Sequence, residues 1–189
     1  MAVNLQKGQK VDLTKGNAGL NALIVGLGWD EVSGGGSAID CDASAILLTE
    51  GKLKGGKDDI VYFGNLTHKS GGVMHQGDNL TGAGDGDDEQ IKIMLDKVPA
   101  SCDKIVMVVN IYQAVQRKQH FGMIQNAFIR IVNAQNNQEL LKYNLSENYD
   151  GMTAMIFGEV YRHSGEWKFS AIGQATNDPG LTELAKRYI

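Results

Sequence analysis

The chain has 189 residues, 42% hydrophobic and 21% charged, with a formal net charge of -4, 24 glycines, two prolines and two cysteines. One domain spanning 1–189 is the default at this length, and mild acidity without a block of lysine or arginine excludes a surface built to track nucleic-acid phosphates. No signal-peptide core and no apolar run of membrane-spanning length is present, so a soluble, cytoplasmic protein without a transmembrane segment is expected.

Cys41 and Cys102 form no Cys-x-x-Cys pair and read as small apolar residues of a reducing compartment. A thiol-based reductase would need a paired or resolving cysteine, which sequence separation alone leaves open only in space.

Residues 5–13 alternate weakly and predict an opening strand, and a polar turn follows at 14–17. Residues 20–29 predict an apolar strand in which Gly26 and Gly28 mark a bulge or a close backbone approach. The Gly-x-Gly there lacks the third glycine, the following helix and the Gly-Lys-Ser/Thr of a nucleotide loop, which excludes that reading. After a glycine-rich turn at 33–37, residues 39–48 return to strand. Asp40, Asp42 and Ser44 share one face, and Ile39, Cys41, Ala43, Ala45 and Leu47 the other. Residues two apart on one face stand roughly 7 Å from each other, which suits two neighbouring ions better than one; a solvated face with two incidental acids fits the pattern equally.

Asp58 and Asp59 precede a strand at 60–63 and read as solvated charges at its end. His68 and His75 flank a Gly71-Gly72 turn without zinc-ligand spacing. The run GDNLTGAGDGDDE at 77–89 then places five carboxylates, Asp78, Asp85, Asp87, Asp88 and Glu89, with Asn79 and four glycines in thirteen residues. Hard oxygen donors without a thiol or imidazole pair point to calcium first and magnesium second. Leu80, Gly82 and Ala83 stand where an EF-hand needs ligands and its glycine, so that loop is excluded. A flexible acidic surface loop is the competing reading, weakened by the strand alternation at 90–95 that anchors the run's last carboxylate.

Residues 104–112 are almost continuously β-branched and apolar and predict a central strand. The polar stretch 113–125 groups Arg117, Lys118 and His120, either to meet an anionic partner or as a solvated loop. Residues 126–134 and 139–145 predict a hairpin, as do 153–163 and 166–173 through Ser164-Gly165, with Trp167 and Phe169 on one face. Asp178 and Pro179 predict the start of a helix whose apolar face carries Leu181, Leu184, Ala185 and Tyr188. These elements together predict an all-β fold class: a β-sandwich of two antiparallel sheets with a short C-terminal helix.

The acidic run, with Val25-Gly26-Leu27-Gly28-Trp29-Asp30 upstream and Gly158-Glu159-Val160-Tyr161-Arg162-His163 through Glu166-Trp167-Lys168-Phe169 downstream, resembles the TerD family of tellurium-resistance and general-stress proteins. The resemblance spans residues 3 to about 174. It implies a cytoplasmic calcium-binding β-sandwich without catalytic activity, acting through ion-dependent structure or through protein partners of a stress-response complex. It also implies the metal site: Asp40, Asp42, Asp78, Asn79, Gly82, Asp85, Asp87, Asp88 and Glu89, with Gly82 contributing only its carbonyl and Asp30 a weaker candidate. One or two Ca2+ ions are expected. Leu80, Gln113 and Asn144 depart from the family's common arginine and aspartates, and the last two put in doubt any ligand drawn from those places. Two other classes stay open: a metal-dependent hydrolase using paired acids, and a calcium-dependent ligand-recognition module with Trp29, Tyr62 and Trp167 as an aromatic platform.

Overall fold

The computed structural model describes residues 2–31, 38–77, 86–145 and 147–189. Its strands in chain order are β1 (Val3–Leu5), β2 (Lys10–Asp12), β3 (Ala22–Glu31), β4 (Cys41–Leu48), β5 (Ile60–Val61), β6 (Val73–His75), β7 (Glu89–Met94), β8 (Lys104–Ile111), β9 (Ile124–Asn133), β10 (Gln138–Asn144), β11 (Ala154–His163) and β12 (Glu166–Thr176). Two short helices join them, α1 (Ala114–Arg117) and α2 (Leu181–Ala185). The strands make two six-stranded sheets, β1-β10-β9-β3-β7-β6 and β2-β12-β11-β8-β4-β5. Among the described residues no helix is long and apolar enough to cross a membrane.

The expected sandwich with its C-terminal helix is therefore present, with one refinement: every strand pairing is antiparallel except the edge pair of β1 and β10, which is parallel. That exception stems from a difference at the N-terminus. Residues 5–13 are not one strand. Gly8 adopts φ +83, a left-handed conformation that glycine tolerates. Its N–H donates to the Ala171 carbonyl at 2.7 Å, so the chain leaves β1 in the first sheet and enters β2 in the second.

β8 shows why its sequence lacks alternation. Ile105, Met107, Val109 and Ile111 enter the core between the sheets, while Val106 and Val108 pack on the opposite face beneath Leu184 and Ala185 of α2. A strand covered on both sides has no polar face to display, and each such buried aliphatic side chain contributes about 1.5–3 kcal/mol. The β11–β12 hairpin turns through Ser164 and Gly165, at φ +53 and +79, the pair of positive values that a two-residue turn needs to match strand twist. The C-terminal helix starts later than expected. Gly180 precedes it, and Asp178 instead ties the strand end to the tail, accepting from Thr176 Oγ1 and Arg187 Nε at 2.7 Å each.

Two further expectations change. The polar stretch after β8 contains α1, bracketed by the left-handed residues Gln113 and Lys118, and Arg117 from it lies over the Tyr112 ring at 5.3 Å. Asp59 is not a solvated strand-end charge. Its Oδ2 accepts from the Gly55 N–H, and its Oδ1 lies 3.3 Å from His68 Nε2, whose ring is 1% exposed and meets Ser70 Oγ at 2.8 Å through Nδ1.

Candidate functional site

Gly26 sits in β3 between Gln90 of β7 and Arg130 of β9. On the outer face of the first sheet, the missing side chain makes room for the Asp87 carboxylate: a Cβ at Gly26 would overlap all three of its terminal atoms. Arg130 grips that carboxylate with both ends of its fork, Nε to Oδ1 at 2.6 Å and Nη2 to Oδ2 at 3.0 Å, and Gln90 Nε2 adds a bond at 2.9 Å. Nη1 of Arg130 also donates to Glu139 at 3.1 Å. The Asp87 side chain is 1% exposed. The Arg130 pKa is raised, first by the Asp87 hydrogen bonds, with Glu139 adding to them against the opposing effect of burial. The close approach expected at Gly26 is thus the seat of an ion pair, and the bulge falls between Gly28 and Asp30.

One residue on, the geometry changes. Asp88 donates its backbone N–H to the Leu27 carbonyl, and its carboxylate accepts from the Trp29 N–H at 2.8 Å. Burial pushes its pKa up, the Trp29 hydrogen bond opposes the rise, and the like charges of Asp30 and Asp87 add to it. Glu89 alternates inward with Ile91 and Ile93 and is 2% exposed. Its Oε2 crosses to the second sheet and accepts the N–H of Ala43 in β4. His75 lies behind it: Nδ1 accepts from the Gly77 N–H, so Nε2 carries the proton and faces Glu89 Oε2 at 3.4 Å, a contact rather than a well-formed hydrogen bond.

Asp40 and Asp42 lie on β4 and just before it, both almost fully buried, and Ala43 between Asp42 and Ser44 receives Glu89 from the inner side. The Cys41 thiol reports the result. Burial raises its pKa most, and the negative charges of Asp42, Glu89, Asp40 and Asp88 raise it further. A shallow polar recess of about 390 Å³ opens beside them, bordered by Asp87, Asp88, Gln76 and Gln90.

Of the expected ligands, Glu89 reaches β4 between the sheets, Asp40 stands just before β4, Asp42 lies with Ser44 on the outer face of the second sheet, Asp88 stands at the entrance of β7, and Asp87 is held on the outer face of the first sheet. Asp78, Asn79, Gly82 and Asp85 lie outside the described residues. Among the described residues no three His, Cys, Asp or Glu side chains stand close enough to hold a metal by themselves. Asp30 Oδ2 accepts from Asn126 Nδ2 at 2.7 Å. Gln113 immediately precedes α1, and Asn144 lines a groove with Lys142, Asp30 and Arg130. Trp29 and Trp167 are core residues, 5% and 7% exposed, so the three aromatics considered as one platform do not form one. Arg130 and His75 as partners of Asp87 and Glu89 were not anticipated. Arg130 stands 43 residues from Asp87, and only the strand register brings them together.

The TerD domain family model matches residues 1–188. The chain belongs to the TerD family. It is 57% identical over 200 residues to the Stress response protein SCP2 of Bacillus subtilis, covering all of both chains. It is 49% identical to the Tellurium resistance protein TerD of Serratia marcescens, covering 100% of this chain and 97% of that one. The crystal structure of a homologue of telluride resistance protein (TerD) from Streptomyces coelicolor shares the fold, with a TM-score of 0.63 at 21% identity over 85% of this chain and 92% of that one.

Proposed function

We propose that this TerD-family chain is a non-catalytic calcium-binding module acting in tellurium resistance and stress response, the processes named for its relatives, in the cytoplasm and through contacts with protein partners. The observation that carries the calcium reading is the set of acids at the starts of β4 and β7: Asp40 and Asp42 are almost fully buried, Glu89 crosses between the sheets to the Ala43 N–H, and the Asp88 pKa is raised first by burial and then by like charges. A divalent ion relieves such crowding without requiring a proton, and hard carboxylate oxygens suit calcium. The donors are drawn from Asp40, Asp42, Asp88 and Glu89 with Asp78, Asn79, Gly82 and Asp85 of the loop. Asp87 supports the site from its Arg130 clamp. When bound, calcium supplies a charge that ties the loop to the sandwich rim.

The non-catalytic reading is favoured by Glu89. As a general acid it would have to meet substrate, but it is buried and closed by Ala43 and His75, and a substrate would have to displace the sandwich's own contacts to reach it.

Calorimetric titration of calcium into the metal-free protein is expected to show saturable binding, with the melting temperature rising with calcium concentration by mass action. At a hundredfold excess over Kd the gain is about 2.7 kcal/mol. Asp88→Asn should abolish or sharply weaken this gain while leaving the metal-free protein as stable as wild type or slightly more so, because a buried like charge has gone. Equal calcium responses from the wild type and the variant, or no response from either in the millimolar range, would remove the proposal. In cells challenged with tellurite, the same variant should fail to protect where the wild type does.

A further inference from the structure

On the outer face of the second sheet, beneath α2, lies a cavity of about 380 Å³, within the range of small-molecule sites. Asp42, Ser44 and Asn110 border its sheet side, and Tyr62, Phe63 and Tyr112 its wall. Asp42 and Asn110 are register partners on β4 and β8, and Ser44 lies next along the same face, so strand alternation places all three side by side. Ser44 is fully buried and Asn110 is 6% exposed, yet Ser44 Oγ and Asn110 Oδ1 have no hydrogen-bond partner among the described residues. Buried polar atoms in a folded protein are nearly always satisfied, and two together beside a cavity point to an occupant that satisfies them.

The wall identifies the chemistry. Phe63 stacks edge-on against Tyr62 at 5.3 Å and against Tyr112 at 6.4 Å. Phe63 and Tyr112 are 45% and 38% exposed, high for aromatic residues with no role in the core. A hydroxyl, an amide oxygen and a carboxylate form an acceptor-rich floor, and a primary ammonium brings three N–H donors and one positive charge to it. Aromatic faces attract the same charge, and the Tyr112 ring already carries the Arg117 guanidinium on one side. Lys57 and Glu183, of opposite sign, stand at the mouth and leave its charge balanced.

We propose that this cavity binds a small primary amine, its ammonium group held by Ser44, Asn110 and the Asp42 charge, and its carbon chain against Tyr62, Phe63 and Tyr112. Ser44 and Asn110 take no part in the proposed calcium site; Asp42, named among its donors, is shared, and for that reason the amine is titrated with and without calcium.

The test is calorimetric titration of 1,4-diaminobutane into the full chain, metal-free and again calcium-saturated. Saturable one-to-one binding is expected, with tetramethylammonium, which lacks N–H donors, at least about tenfold weaker, in line with hydrogen bonds to a charged group. Asn110→Leu should weaken diaminobutane about tenfold by the same reasoning. Should that variant fold poorly, Phe63→Ala decides: its side chain is outside the core, so the melting temperature should hold while affinity falls several-fold. Absence of saturable heat up to the low millimolar range, or equal affinity in both variants, would overturn the assignment, as would preferential binding of a neutral sugar such as xylose. Calcium titration in the absence of amine is read separately, so failure of either site is visible without the other.

Discussion

Asp87 and Asp88 are adjacent in sequence and meet opposite environments. Asp87 lies on the outer face of the first sheet, where Gly26 leaves space and Arg130 supplies a bidentate cation, and the pair closes on itself. Asp88 lies at the strand entrance, where it accepts from a backbone N–H, and burial, then the charges of Asp30 and Asp87, raise its pKa. The difference separates two uses of acidity within one motif. A carboxylate met by an arginine of the same chain is a fastening, whereas one that accepts from a backbone N–H and feels the like charges of further aspartates is the kind that the proposed calcium ion would answer. The acidic run is therefore not a uniform ligand set: Asp87, once clamped, fixes where Asp88 and Glu89 enter the sandwich.

The largest test of this division is to remove the arginine. Arg130→Met leaves Asp87 buried at 1% exposure with Gln90 as its remaining partner on the sheet, and should cost about 3 kcal/mol, the scale seen when one member of a buried pair is lost. Urea denaturation measures it. Asp87→Asn on the Arg130→Met background should recover a large part of that loss, because the stranded charge has gone; no recovery would mean that Arg130 acts through packing on the sheet instead. Gly26→Ala attacks the same fastening from below. Its Cβ must push aside a carboxylate held by three hydrogen bonds, at about 2 kcal/mol, within the range of overpacking in a tight site. If Gly26→Ala is neutral in denaturation, the contact with Asp87 is loose and the contrast with Asp88 loses its basis.

How much of this could be read beforehand depends on the range of the interaction involved. Local patterns were legible: the continuous apolar run of β8 and the Ser164-Gly165 turn rest on neighbours within a few residues, and Gly26 and Gly28 signalled a bulge or close approach without naming the distant partners, Asp87 and Phe128. The division of residues 5–13 between two sheets was not, because its weak alternation fits either sheet and the decision lies in Gly8 and its bond to Ala171. The opposite environments of Asp87 and Asp88 were hidden for the same reason. Composition counts carboxylates, but only the register of β3, β7 and β9 shows which one meets Arg130. Asp59 looked solvated because His68, nine residues away across a turn, gives no local signal of contact. The cavity beneath α2 needs β4, β8 and the C-terminal tail together, and no one segment announces it.

A milder fastening at the other end of the chain sharpens the comparison by showing what exposure takes away. Asp178 pairs with Arg187 at 2.7 Å, as Asp87 pairs with Arg130, but Arg187 is 41% exposed and bonds through a single nitrogen. Burial alone would raise the Asp178 pKa, and the hydrogen bonds from Arg187 and Thr176 outweigh it, holding the carboxyl below its ordinary 3.8. A carboxylate with a lowered folded-state pKa adds stability that is full above 3.8 and is lost as pH falls through the folded value. Arg187→Gln should therefore lower stability by less than about 1 kcal/mol at neutral pH, as a solvent-screened pair allows. The deficit should shrink when melting is followed in increasingly acidic buffer below that pKa, since protonated Asp178 no longer distinguishes the two proteins. A deficit that persists unchanged into strong acid would show that Arg187 holds the tail by packing against it, and that the likeness to the Asp87 clamp is one of geometry alone.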